Sequence, residues 1–220
     1  MSDSSAPLAA SILAAGEGRR LGCRPKTSLR IGGLSILERL AVALRSAGIA
    51  ELSVVLGPYR DQLRPLALQC GARVLEHRLT DATLIDSQRL ALDDHLARHS
   101  GSDLLLVLAD LPLLTAAHIR PLVDRWHQRA PAVHAQMPVV EGVRGHPLIL
   151  SWHAVERIAA TPRQLGIRAW LAAHAKLIQA VPSQQTAYVA DLDTPDDLAA
   201  LQASVHPEIV SWPDPTGAAD

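Results

Sequence analysis

Fourteen residues near the N-terminus concentrate groups suited to holding a polyphosphate: Leu13-Ala14-Ala15-Gly16-Glu17-Gly18-Arg19-Arg20-Leu21-Gly22-Cys23-Arg24-Pro25-Lys26. Gly16, Gly18 and Gly22 carry no Cβ, so the backbone can turn tightly and approach a ligand. Successive N–H groups in such a loop form an anion cradle. Arg19, Arg20, Arg24 and Lys26 surround it with positive charge. Lys26 stands out because the chain otherwise uses arginine: of 21 basic residues only Lys26 and Lys176 are lysine. A compact ammonium on a flexible stem fits against a phosphate where a planar guanidinium does not. The glycines also spell Gly-x-Gly-x-x-x-Gly, close to a dinucleotide fingerprint. That motif needs a helix to start within the glycines and run on, and Pro25 would break it. The segment therefore reads as a long phosphate-binding loop.

Two acidic sites are candidates for a metal that would serve the phosphates. Asp110, in Leu108-Ala109-Asp110-Leu111-Pro112, follows the apolar run from Asp103 to Ala109. In open α/β sheets ligands bind beyond the carboxyl ends of the strands. A hard carboxylate there suits Mg²⁺, which takes few protein ligands and shares phosphate oxygens. The second site is Asp191-Leu192-Asp193-Thr194-Pro195-Asp196-Asp197-Leu198. Asp191 and Asp193 alternate and so point the same way from an extended segment. Asp196 and Asp197 fall in the first turn of a helix, where they oppose the macrodipole. His146, in Arg144-Gly145-His146-Pro147, is held in one orientation by its proline neighbour and is placed to meet a substrate or orient a loop. His95 and His99 have i, i+4 spacing but no third ligand, and read as a solvated helix end.

The elements that must position these groups alternate over the first half. Leu8–Leu13 is a buried strand. Ser35–Ala47 is a helix with a Ser35/Glu38 capping box and a Gly48 stop. Strands at 52–56, 72–75 and 103–109 alternate with helices at 58–69, 84–99 and 115–129. That order argues for an open parallel sheet covered by helices on both faces. The second half predicts a hairpin, 133–140 and 144–150 around Glu141-Gly142. Helices follow at 151–160 and 164–174, strands at 177–181 and 186–191, and a helix at 194–205 with Thr194 as N-cap and Pro195 in its first position. The expected organisation is a flexible N-terminus at 1–7, one domain over 8–205, and a proline-bearing tail at 206–220 frayed or draped on the surface.

Composition bounds the rest. The chain has 220 residues, 48% hydrophobic and 20% charged, with a formal net charge of -1. A single globular domain is expected, with neither a general nucleic-acid nor an anionic-membrane surface. There is no Phe, so Leu, Ala, Val and Ile must fill the core. Two cysteines are too few for a disulfide framework, and a reducing cytoplasm is the simplest setting.

The glycine loop resembles the nucleotidylyltransferase signature Leu-x-x-Gly-x-Gly-x-Arg-x-Gly-x-x-x-Lys, most closely that of the molybdenum-cofactor nucleotidylyltransferases. Leu108-Ala109-Asp110-Leu111-Pro112, Gly145-His146-Pro147 and Asp191–Leu198 are similar to three further elements of that family, so the likeness spans most of residues 8 to 204. It implies a doubly wound, mostly parallel α/β domain of the nucleotide-diphospho-sugar transferase type with a small antiparallel hairpin. It implies Mg²⁺-dependent transfer of a nucleoside monophosphate from an NTP to a phosphorylated acceptor, molybdopterin by likeness, with release of pyrophosphate. Arg20 and Lys26 would stabilise charge on the phosphates. Leu13, Ala14, Ala15, Gly16, Gly18, Arg19, Gly22 and Ser87 would bind the nucleotide. Asp110 and Asp193 would hold metal, with Asp191 as fallback, and His146 and Arg144 would meet the acceptor. Ala15 favours CTP, because relatives with Leu-Ala-Ala-Gly use CTP and those with Leu-Ala-Gly-Gly use GTP. A molybdoenzyme or cofactor-handling protein is an expected partner. Two departures fall in the specificity half: Thr83 replaces a glycine four residues before Ser87, and Arg163-Gln164-Leu165-Gly166-Ile167-Arg168 lacks the family's Asp. A sugar or alcohol phosphate as acceptor, and an NTP-binding sensor or chaperone without turnover, are the competing readings.

Overall fold

The computed structural model describes residues 6–77, 79 and 81–213. The expectations for residues 1–5 of the N-terminus and 214–220 of the tail lie outside the described residues. Strand β1 (Leu8–Ala14) is central, with β4 (Leu52–Leu56) and then β5 (Arg73–Glu76) on one side. On its other side lie β6 (Asp103–Leu108), β9 (Leu148–Leu150), β7 (Ala135–Val140) and β10 (Ile178–Ser183). β1 pairs in parallel with both β4 and β6, and β10 is parallel to β7. β9 runs antiparallel to β6 and to β7. This is the doubly wound, mostly parallel sheet with a small antiparallel element that the alternation implied. The strand order reverses between β1 and β6, which makes their carboxyl ends the topological switch point.

Side chains alternate across each strand, and two cores result. Ile12 of β1, Val54 of β4 and Val107 of β6 face α1 (Ile36–Ser46), α2 (Arg60–Gln69) and α4 (Ala116–His127), through Leu40, Leu63 and Trp126. Leu13, Val55 and Leu106 face α3 (Leu84–Arg98), α5 (Trp152–Ala159) and α6 (Ile167–Ala173), through Leu92, Val155 and Trp170. A smaller cluster of Leu21, Leu29, Ile31, Leu192 and Leu201 lies under a three-stranded antiparallel sheet. That sheet joins β2 (Arg30–Ile31), β3 (Leu34–Ser35) and β11 (Val210–Ser211), and α7 (Pro195–Ser204) packs beside it. β11 therefore ties the described part of the C-terminal segment to the residues that follow the glycine loop.

Local signals set most boundaries. Ser35 and Glu38 cap α1 reciprocally, and Thr194 and Asp197 do the same for α7. Glu141 and Gly142 both take positive φ, 50° and 84°, which a two-residue hairpin turn of matching twist requires. That turn joins β7 to β8 (Val143–Arg144).

Three expectations are corrected. The strand predicted over 144–150 is two pieces, β8 and β9. Pro147 offers no N–H to a ladder, and the Gly145 N–H goes to the carbonyl of Pro138 while that of His146 goes to the carbonyl of Tyr188. The strand predicted over 186–191 is a single 3₁₀ turn, Thr186–Tyr188. There the N–H groups of Val189 and Ala190 both return to the carbonyl of Thr186, at 2.9 and 2.8 Å, and none is left for a neighbouring strand. His95 is not solvated: it is 2% exposed, and its Nε2 lies 2.8 Å from the carbonyl oxygen of Ser102. No helix of the described residues is long and apolar enough to cross a membrane.

Candidate active site

The glycine loop leaves β1 at its carboxyl end without entering an α-helix. Only a 3₁₀ turn, Arg19–Leu21, interrupts it, flanked by Gly18 (φ 59°) and Gly22 (φ 74°) in left-handed conformation. Gly18 has two reasons to lack a side chain. Its φ disfavours L-residues, and a Cβ there would lie 2.2 Å from the carbonyl oxygen of Arg24. The carbonyl of Gly18 accepts from the N–H groups of Leu21 (2.9 Å) and Cys23 (3.1 Å), which closes the loop on itself. Tyr59, at the start of α2, donates its hydroxyl to the carbonyl of Glu17 at 2.8 Å and holds the loop from the other side.

Lys26 begins a second 3₁₀ turn, and its side chain is only 11% exposed. Its Nζ pairs with Asp193 Oδ1 and lies 3.5 Å from Asp110 Oδ2. Arg20 pairs with the other oxygen of Asp193. Two cations thus converge on two carboxylates drawn from three distant parts of the chain. Asp110 follows β6, and its carbonyl accepts from the N–H of Leu192 at 2.9 Å, which binds the two acidic segments together. Asp193 is positioned by Asp197, whose Oδ2 accepts from the N–H groups of Asp193 (3.0 Å) and Thr194 (2.7 Å). Asp191 is exposed, and its charge still reaches Asp110.

Asp110 has the unusual environment. Burial raises the pKa of its carboxyl, the Lys26 charge opposes that shift, and the negative charges of Asp191 and Asp193 add to it. Its Oδ1 is sealed from solvent and has no hydrogen-bond partner. A buried polar atom left unpaired is costly, and a cation from outside the chain would pair it. Among the described residues no group of three or more His, Cys, Asp or Glu could hold a metal by itself. Two carboxylates whose remaining partners are phosphate oxygens is the donor set that Mg²⁺ accepts, so the residues present fit such an ion.

These groups border a cavity of about 430 Å³. Leu13, Ala15, Gly16, Gly18, Arg19, Arg20, Lys26, Ser87, Asp110 and Asp193 all line it, as does Glu17. Ala14 lines a small recess that adjoins it beside Lys26 and Asp110. Gly22 lies on neither wall and shapes the loop instead. The far wall is the start of α3, Ala82, Thr83 and Leu84. Thr83, standing where the family has a glycine, is the N-cap of α3: its side chain accepts from the N–H of Asp86, and Asp86 returns the bond. Ser87 Oγ donates to the carbonyl of Thr83 at 3.1 Å and lies 3.0 Å from His77 Nε2. Burial lowers the pKa of His77.

Arg144 and His146 do not border this cavity. Arg144 is exposed on the hairpin. His146 has its Nδ1 3.4 Å from the carbonyl of Leu106, and burial lowers its pKa. The second departure from the family, residues 163–168, packs under α3 instead of facing the loop. Gly166 abuts Ile85 and Gln88, and Arg163 pairs with Asp93. Tyr59, Asp197, Ala82 and Leu84 carried no signal in the sequence as site residues, whereas Thr83 was marked as a departure in the specificity half and does border the cavity. The start of α3 at Leu84 was expected from helical periodicity, and the structure adds the Thr83/Asp86 capping box that fixes it.

The MobA-like NTP transferase domain model matches residues 10–181. The bifunctional protein GlmU of Azorhizobium caulinodans is 36% identical over 122 residues, 51% of this chain and 26% of that protein. The chain thus spans about a quarter of the length of this curated relative. Rv0371c of Mycobacterium tuberculosis H37Rv superposes with a TM-score of 0.73 at 25% identity, covering 91% of this chain and all of that one (100%). A crystal structure of Rv0371c in complex with manganese gives a TM-score of 0.70 at 24% identity, over 90% and 99% of the two chains. The match over residues 10–181 takes in β1, the glycine loop, Lys26 and Asp110, and the chain belongs to the MobA-like NTP transferase family.

Proposed function

We propose that the protein transfers a nucleoside monophosphate from an NTP to a phosphorylated small molecule. A phosphate oxygen of the acceptor attacks the α-phosphorus in line, the bond from the α-phosphorus to the bridging oxygen breaks, and pyrophosphate leaves with that oxygen. No side chain need act as nucleophile, so catalysis rests on positioning and on charge stabilisation. The observation that carries this reading is the convergence of Arg20, Lys26, Asp110 and Asp193 on one cavity at the switch point of the sheet.

The glycine loop would cradle the triphosphate with its N–H groups. Arg20 and Lys26, released from Asp193 when substrate supplies other charges, would turn to the α-phosphate and the departing pyrophosphate. Asp110 and Asp193 would hold Mg²⁺, whose contribution is to neutralise charge on the phosphates. The manganese bound in Rv0371c supports a divalent ion here. Ala15 on the cavity wall supports CTP as donor, and molybdopterin is the acceptor that the family likeness favours, with a molybdoenzyme or cofactor-handling protein as recipient. Free Cys23 and Cys70 suit the reducing cytoplasm.

The test is pyrophosphate release with Mg²⁺, each of the four NTPs, and either molybdopterin or a sugar phosphate. Release with CTP and molybdopterin, abolished in Lys26→Ala and Asp110→Ala, is the expected result. A nucleotidylyl product formed on the sugar phosphate instead would replace the acceptor and keep the chemistry. Nucleotide binding with no release in any combination would make the protein a sensor.

A further inference from the structure

The opposite end of the sheet holds a second cavity, of about 420 Å³, as roomy as the one beside the glycine loop. It is bordered by His127 at the end of α4 and Arg129 just after it, by His134 ahead of β7, and by Ser151, Trp152 and His153 at the start of α5. Asp103, at the amino end of β6, lies at its base. Asp103 and Asp110 bracket β6, so the two cavities lie about 20 Å apart at a strand rise of about 3.3 Å per residue. One small ligand cannot fill both.

The charge of this cavity turns on its histidines. Asp103 is the acid within it, and its oxygens are already committed. Oδ2 accepts from Trp126 Nε1 (2.8 Å) and Arg129 Nη2 (2.9 Å), and Oδ1 from the N–H of Trp152 (2.9 Å). Glu156 is exposed and lies 3.8 Å from His153 Nδ1. Arg129 balances Asp103, and Arg157, one turn along α5, stands with the three histidines against Glu156. At the start of α5 the N–H groups of Trp152 and Ala154 are already bonded within the chain, to Asp103 and Ser151.

His134 is the central group. Its Nδ1 lies 2.9 Å from Ser151 Oγ, and that oxygen accepts from the N–H of Ala154 at 3.2 Å. The Nδ1–Ser151 contact leaves Nε2 as the ring nitrogen for a ligand to meet. The rings of His134 and His153 are 5.2 Å apart. Burial lowers the pKa of His134 first, and the charges of His153, Arg157 and Arg129 lower it further. An anion in the cavity would relieve each of those repulsions.

We propose that this second cavity binds a phosphate group carried by a small molecule, at a site separate from nucleotide transfer. Guanidinium and imidazolium groups recognise phosphate oxygens. The volume exceeds what orthophosphate needs, and Trp152, Pro131 and Val133 supply apolar wall for an organic body. A bound anion supplies the counter-charge that protonated His134 lacks beside Arg129 and Arg157.

The experiment follows histidine ring resonances by NMR during titration with inorganic phosphate and with phenyl phosphate. It uses the full chain and its Lys26→Ala variant, which weakens phosphate binding beside the glycine loop. The expected result is that His134 and His153 respond in both proteins, with His134 titrating at higher pH when ligand is bound. The double variant His127→Gln/His153→Gln changes two exposed side chains and should weaken binding about tenfold with melting temperature unchanged. Tighter binding of phenyl phosphate identifies a phosphomonoester as ligand class, and equal binding identifies free phosphate. Three results would overturn the proposal: unmoved histidine resonances, a response lost in Lys26→Ala, or wild-type affinity in the double variant.

Discussion

Strand β6 begins at one aspartate, Asp103, and is followed two residues past its end by another, Asp110, and the two residues live in opposite circumstances. Asp103 is 2% exposed and both its oxygens are used: by an indole N–H, a guanidinium and the first N–H of α5. It locks β6, α4 and α5 together. Asp110 is less buried overall, yet one of its oxygens is sealed and unpaired, and its partner Lys26 is shared with Asp193. A carboxylate satisfied within the chain contributes stability. One left short of partners costs stability and is poised to receive something from outside. Residue type alone does not separate these roles; the count of donors around each oxygen does.

The sharpest test of that contrast is Asp110→Asn. Nucleotidylyl transfer should fall by about a thousandfold or more, about 4 kcal/mol in activation free energy, while the ligand-free protein should melt at the same temperature or higher. The sign follows from the raised pKa. In the folded state Asp110 holds its proton to higher pH than in the unfolded chain. It therefore disfavours folding increasingly as pH rises from the ordinary carboxylate range through its folded pKa. Asparagine removes that pH-dependent cost. Activity assays paired with thermal melts across that range check both halves, and a melt lowered throughout would put Asp110 in the same class as Asp103.

Asp103→Asn is the converse. Removing the charge leaves Arg129 without its carboxylate in a largely buried pair, a loss of about 3 kcal/mol. Urea unfolding should show that loss, and kcat at saturating nucleotide should stay near the parent value. A selective loss of transfer in a stable Asp103→Asn protein would break the comparison from its other side.

Gly18→Ala comes next. A left-handed alanine costs about 1–2 kcal/mol, and the clash with the Arg24 carbonyl forces the loop to shift as well. NTP affinity should drop about tenfold, measured by calorimetry, with the sheet intact by circular dichroism. Unchanged affinity would mean that the loop conformation does not set phosphate binding.

How much of this was legible beforehand depends on how local each feature is. The caps at Ser35 and Thr194, the Glu141-Gly142 turn and the apolar strands 52–56 and 103–109 are set by neighbours in sequence, and they stand where the pattern put them. Thr186–Asp191 shows the limit. Its β-branched and aromatic residues suit a strand, but Tyr188 instead turns into the core and donates its hydroxyl to the carbonyl of His118 at 2.7 Å. His95 looked like part of a solvated helix end until the carbonyl of Ser102 closed over it. Buried Arg89 donates to the carbonyls of Ile158, Pro162 and Leu165, a role that depends on how α5 ends and on no motif. At the candidate site each half was visible on its own, the glycine loop and the aspartates. Their shared use of Lys26 spans 84 and 167 residues of sequence, and only the fold displays it.

Tyr59 offers the smallest and most discriminating effect. Its hydroxyl meets the chain at the Glu17 carbonyl, between the first two glycines, and it touches none of the acidic groups. Tyr59→Phe keeps the ring and removes one neutral hydrogen bond, worth about 1 kcal/mol. If the loop is held for the triphosphate by that bond, the loss should appear as a roughly fivefold rise in KM for the NTP. kcat and the response to Mg²⁺ should be unaltered, because Asp110, Asp193 and Lys26 are undisturbed. An equal fall in kcat would mean that loop position is felt only in the transition state. Tyr59 would then act through the same charges as Asp110, instead of through the backbone cradle alone.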